Sequence, residues 1–100
     1  MNSYTFTIKT DVERNLMYID HHGRPTVADL LNLKDAYLVE LDKLRPGFSI
    51  VNDQREMEAY DQEAMAVATE LVSITNQHHA ARVIRILPTD LLTAVTISST

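Results

Sequence analysis

The sequence predicts an α/β fold: a mixed sheet of four to five strands with two main helices, in the order strand, strand, helix, strand, helix, strand. Three observations predict it. Between Phe48 and Ile86, an apolar run (Phe48 to Asn52) ends in Asp53-Gln54-Arg55. After a polar loop, Tyr60-Asp61 opens an apolar-striped segment reaching about His78, and a second apolar run, Val83 to Leu87, follows. That pattern is a strand, a crossover helix and a parallel strand. Near the N-terminus Tyr4, Phe6 and Ile8 alternate with Thr5, Thr7 and Lys9, a period-two strand with one buried face. In between, Leu30, Leu33, Tyr37, Leu41 and Leu44 recur every three or four residues, one apolar face of a helix.

Taken in order, Asp11 to Asn15 is polar and turn-like, so the first strand and a second, Leu16 to Asp20, form a hairpin. Gly23-Arg24-Pro25 ends that second strand. Thr26 caps the first helix, with Asp29 three residues on in a capping-box arrangement. Pro46-Gly47 stops the helix. In the second helix Asp61 is the N-cap, and Ala64, Val67, Ala68, Leu71, Ile74 and Thr75 form the buried stripe. Pro88-Thr89-Asp90 can start a helical turn, and Leu92 to Ser98 reads as a terminal strand. The gap after Leu87 is too short for a parallel crossover of about a dozen residues. That strand therefore runs antiparallel, lies on a far edge or pairs with another chain.

At 100 residues the chain makes a single domain, 1–100, with a modest core. The balance of 45% hydrophobic and 23% charged residues is that of a soluble globular protein. No apolar run approaches the roughly 18 residues of a membrane span, and Met1 to Tyr4 lacks the basic-then-apolar start of a secretory signal. Without cysteine there is neither a disulfide framework nor a thiolate metal site, and a cytoplasmic location is expected. The net charge of −5 disfavours nonspecific binding to nucleic acid, which needs a basic face.

The element order, Gly23 at the end of the second strand, Asp53 at the end of the third and Asp61 eight residues later at the head of the second helix resemble the STAS superfamily. This is the domain of anti-sigma-factor antagonists and of sulfate-transporter tails, and the likeness is to its compact bacterial stand-alone members. It covers Tyr4 to Leu87. The resemblance implies a STAS-like sheet and a regulatory role in protein contacts. In that family a phosphorylatable Ser follows the Asp at the helix start, and its phosphate, about −1.5 to −2 charges, switches partners. Here Gln62 stands in its place, and no Ser or Thr lies between Val51 and Ala68. The chain also reaches Thr100 without the further C-terminal helix that the family often adds, so one sheet face is expected to be less covered or completed by a partner.

Four histidines come as two adjacent pairs, His21-His22 and His78-His79. The first pair follows the second strand and the second precedes the fourth, at opposite ends of a sheet about 17–20 Å long, so one metal site cannot use both. His78-His79 suits a helix C-terminus, where imidazolium meets the dipole favourably. His21-His22 suits a solvated loop. The polar constellation worth arguing over is Asp53, Arg55, Asp61 and Glu63, at the carboxyl end of the parallel strands, where ligands of open sheets tend to sit. Capping by Asp61, a dipole-favoured Glu63 and an Arg55 ion pair explain most of it structurally. No nucleophile stands beside a base, no carboxylate cluster matches a calcium loop, and no cofactor or metal is expected.

The expected function is a noncatalytic, regulatory protein-interaction module contacting its partner through Asp53, Arg55, Tyr60, Asp61, Gln62 and Glu63. The terminal strand predicts a homodimer through an exposed edge. The alternative is a carrier or sensor for a small hydrophobic ligand, with an apolar cavity between helices and sheet. A deep apolar pocket favours the carrier; an exposed patch at Tyr60 favours the interaction module.

Overall fold

The structure is a computed structural model that describes residues 3–89 and 93. Six elements follow one another: β1 (Thr5–Asp11), β2 (Leu16–Gly23), α1 (Val27–Leu41), β3 (Ser49–Met57), α2 (Gln62–Gln77) and β4 (Arg82–Ile86). They form an α/β fold whose four strands lie side by side in chain order. β1 is antiparallel to β2, while β2–β3 and β3–β4 are parallel. Both crossovers step across the sheet in the same direction. With the fixed hand of such connections, both helices then lie on one face. Two contacts hold them together there: Lys34 pairs with Glu70, and Tyr37 Oη hydrogen-bonds Thr75 Oγ1.

The helix starts are set locally. Thr26 Oγ1 accepts from the Asp29 N–H at 3.2 Å while Asp29 accepts from the Thr26 N–H at 2.9 Å, the reciprocal capping box the sequence predicts. Asp61 accepts from the Ala64 N–H at 2.9 Å and caps α2. At the other end of α2, His78 is the C-cap and its N–H donates to the Ile74 and Thr75 carbonyls. Gly23 closes β2 with φ +87°, and a Cβ there would sit 2.1 Å from the Ser3 carbonyl oxygen. Both conditions call for glycine.

Leu30, Leu33, Tyr37 and Leu41 of α1 are buried as one stripe against Met17, Ile19, Phe48 and Ile50. Full burial of such side chains stabilises by about 1.5–3 kcal/mol each. α2 differs from the expected stripe. Ala64 and Thr75 are buried, but Val67, Ala68, Leu71 and Ile74 are only half-buried. For Ala68 and Leu71 the reason is a cavity beneath them.

Two strands run further than their apolar patterns suggest. β2 continues through Gly23, so His21 and His22 lie within the strand and not in a loop: His21 faces the core and His22, exposed, bonds Asp20 at 2.9 Å. β3 continues to Met57, so Asp53, Gln54 and Arg55 are strand residues. Their polar character hid the strand, but the ladder does not need apolar side chains. Leu92 to Ser98, the expected terminal strand and dimer edge, lies outside the described residues except for Thr93, which is helical and not extended; Asp90 is outside them too. Among the described residues no helix is long and apolar enough to cross a membrane.

Candidate functional site

The six residues expected to form one contact surface are divided between two faces of the sheet. Asp53 pairs in register with Asp20 of β2 and Ile86 of β4, on the face away from the helices. There its carboxylate accepts from Tyr18 Oη at 2.7 Å, from Arg55 Nε at 3.0 Å and from Arg55 Nη2 at 2.7 Å. The Arg55 hydrogen bonds, with Tyr18 adding to them, hold the carboxyl well below the usual carboxylate range. Tyr60, in contrast, is buried in the core on the helix side. It therefore presents no exposed patch. Asp61 is the α2 cap, and Gln62 and Glu63 are exposed on the first helical turn. Asp53 and Arg55 form a compact ion pair, and they do not meet Tyr60 on a common surface.

A cavity of about 250 Å³ lies between the two helices and the sheet. Leu30, Leu33 and Tyr37 line it from α1, Ala68, Leu71 and Thr75 from α2, and Ile19, Ile50 and Met57 from the strands. Its rim includes Val72 and Asn76 of α2 and Val83 of β4, which is 45% exposed although it faces the helix side. The site is concave, mostly apolar and furnished with a few converging polar groups, the usual character of a small-molecule pocket.

Those polar groups come from the middle of the sheet. His21, Asn52 and Gln54 stand on the strand positions that continue Ile19 and Ile50, facing the helices. His21 is 3% exposed, and both its ring nitrogens are engaged: Nδ1 with Tyr4 Oη at 2.6 Å and Nε2 with Asn52 Oδ1 at 2.6 Å. With an amide oxygen at Nε2, that nitrogen carries the proton and Nδ1 accepts from the tyrosine. Burial pushes the imidazole pKa down, outweighing the Asn52 hydrogen bond and the Asp20 and Asp53 charges. The ring is thus held neutral. Burial likewise raises the Tyr4 phenol, with the nearby Asp29 charge adding to it.

Gln54 continues the Ile50 and Asn52 face and stands at a β-bulge. Asp20 pairs with Asp53 and His22 with Glu56, so the single residue His21 faces both Gln54 and Arg55. The extra residue resets the alternation, and Gln54 and Met57, three apart, both turn to the cavity. Gln54 Nε2 lies 3.9 Å from Met57 Sδ, a weak acceptor, and Gln54 Oε1 has no hydrogen-bond partner. Leaving such an acceptor buried and unpaired costs about 1–3 kcal/mol.

Reading the sequence in strand-plus-loop terms missed Asn52 and Gln54. The signal that could have found them is their spacing: Ile50, Asn52 and Gln54 share one face of a continued strand, so the apolar side of β3 becomes polar toward its end. Among the described residues no three His, Asp or Glu side chains come together as a metal site. His79 sits by the start of β3, where its carbonyl accepts from the Gly47 N–H at 2.8 Å, far along that strand from His21.

No protein-family model matches the chain, and no curated protein matches it.

Proposed function

We propose that this chain is a noncatalytic binding domain, a carrier or sensor for a small, mostly apolar molecule held between the helices and the sheet. The observation that carries this reading is the cavity of about 250 Å³ with apolar walls and a buried polar floor. A hydrophobic core left to packing alone closes such spaces, because interiors approach crystal density. The lack of spare chemistry on the floor supports a noncatalytic role. His21 has no free ring nitrogen, and the Thr75 hydroxyl donates to the Leu71 carbonyl at 2.8 Å while bonding Tyr37. An active base or nucleophile needs a free lone pair aimed at a substrate.

The element order and the Gly23, Asp53 and Asp61 spacing support STAS-like ancestry. Gln62 then removes the phosphate switch, and a bound small molecule supplies the regulatory input instead. The interaction-module reading keeps Arg55, whose side chain is 60% exposed, together with Gln62 and Glu63. It loses Tyr60 to the core, so it stands second.

The test is an amide NMR titration of the full chain with a panel of one-ring and two-ring compounds. The expected result is saturable shifts at Leu30, Leu33 and Leu71, with Thr5, Thr7 and Lys9 on the opposite sheet face unmoved. A panel in which no compound moves the cavity resonances overturns the reading.

A further inference from the structure

We propose that the cavity selects a neutral ligand of one ring or two fused rings that donates a hydrogen bond, from a hydroxyl or an N–H, to the side-chain amide oxygen of Gln54. This inference rests on the cavity reading above and adds the chemical class of the ligand.

Size comes first. A cavity of about 150 Å³ suffices for benzene. At about 250 Å³, this one takes a substituted ring or a fused pair, and not an extended chain or a nucleotide. Charge comes next. Among the described lining residues only Arg85 is formally charged, and it is already engaged in an interaction of its own. His21 is neutral and bonded at both nitrogens. A cation drawn into this space would lose its water without gaining a counter-charge, and an anion would meet only the guanidinium of Arg85, which already has an interaction of its own.

Polarity fixes the last feature. Gln54 is 4% exposed, lines the cavity and holds an oxygen with no partner. Its neighbours do not relieve it: no donor among the described residues reaches this oxygen, and the Met57 sulfur, itself an acceptor, meets only the Gln54 N–H side at 3.9 Å. Nearly all buried polar groups in folded proteins are paired. An orphan acceptor that borders an apolar cavity is therefore matched by a donor on whatever fills it. The bulge beside Gln54, which brings Met57 onto the same cavity wall, is a placed feature of the kind found next to functional sites.

The test compares indole with benzothiophene, which has the same shape but carries sulfur in place of the N–H. Affinities of both for the wild-type chain and for Gln54→Leu are measured by NMR titration. Because benzothiophene is the more apolar compound, the readout is the ratio of the two affinities in each protein. The preference for indole relative to benzothiophene is expected to drop by roughly tenfold in Gln54→Leu, the size of one net hydrogen bond. In the wild type, ¹⁵N-labelled indole is expected to show an N–H proton in contact with the Gln54 side-chain amide. This second measurement holds even if the variant does not fold. An unchanged ratio, or an indole N–H directed elsewhere, overturns the hydrogen-bond selection and leaves the cavity reading standing. If neither compound moves Leu30, Leu33 or Leu71, water alone fills the space and both readings fall.

Discussion

His21 Nε2 lies 2.6 Å from Asn52 Oδ1 across the parallel β2–β3 pair, while Tyr4 Oη closes the ring's other side at 2.6 Å from Nδ1. A neutral imidazole satisfies this arrangement with one proton to give and one lone pair to receive. A second proton on the ring would turn Tyr4 from donor to acceptor and place a charge in the core.

Stability is therefore expected to fall as the medium becomes mildly acidic. Burial depresses the folded-state pKa of His21 below the unfolded value of about 6.5. Above that value neither state binds the proton, and the full stability is present. As pH drops below it the unfolded chain takes the proton first, so unfolding gains. Urea midpoints measured from pH 7.5 to pH 5 should decline, and His21→Gln should flatten the decline. A wild-type midpoint that stays level across this window would show that His21 is not held neutral by the fold.

The α2 cap gives a local prediction. The Asp61 carboxylate accepts from the Ala64 N–H at 2.9 Å, and Ala64 is fully buried. Asp61→Ala should lower stability by about 0.5–2 kcal/mol in chemical denaturation. Asp61→Asn should recover most of it, because an asparagine oxygen also caps. Equal losses in both variants would mean that charge matters here more than the hydrogen bond.

That cap was legible in the sequence, as were both helices, the hairpin and the order of the strands. Each was written in a local signal: Thr26 with Asp29, Asp61 before Ala64, and the alternation of Tyr4, Phe6 and Ile8. What the sequence hid has one physical cause. Local pattern marks a strand by its apolar residues, whereas the ladder continues as long as backbone groups pair. β2 and β3 extend through His21, His22, Gln54 and Arg55 on backbone bonding alone. Those extensions carry the polar floor of the cavity. The bulge opposite His21 has no sequence mark, since neither Gln54 nor Arg55 is glycine. Tyr60 misled for the opposite reason: a tyrosine beside a polar loop suits a contact surface, yet the fold folds it inward.

The ion pair on the far side of the sheet sets the acid limit. Asp53 is anchored by Arg55 and Tyr18, and its carboxyl sits below the unfolded-state value of about 3.9. The stability this contributes is present above that value. It is lost as pH falls through the depressed folded-state pKa, because the unfolded chain is protonated first. Asp53→Asn should therefore weaken the protein at pH 7 and make the loss between about pH 4 and pH 2 shallower than in wild type. Urea denaturation across that range reads both effects, and a parallel acid limb in the two proteins would remove Asp53 from the account.

Ala68 offers the sharpest test of what the cavity is for. It lies on α2, half-buried, with its methyl group on the cavity wall. Ala68→Leu adds three carbons to a helix position that suits leucine, and each buried methylene is worth about 0.8 kcal/mol. If the space is free, most of that gain should appear as stability, about 1–2 kcal/mol in urea denaturation. The same substitution occupies the volume a ring would need, so indole and its analogues should no longer shift Leu30, Leu33 or Leu71. A gain in stability joined to a loss of binding is the signature of a cavity kept open for use. Destabilisation by about 1–3 kcal/mol would instead mark overpacking, and would show that the wall beneath Ala68 is already closed.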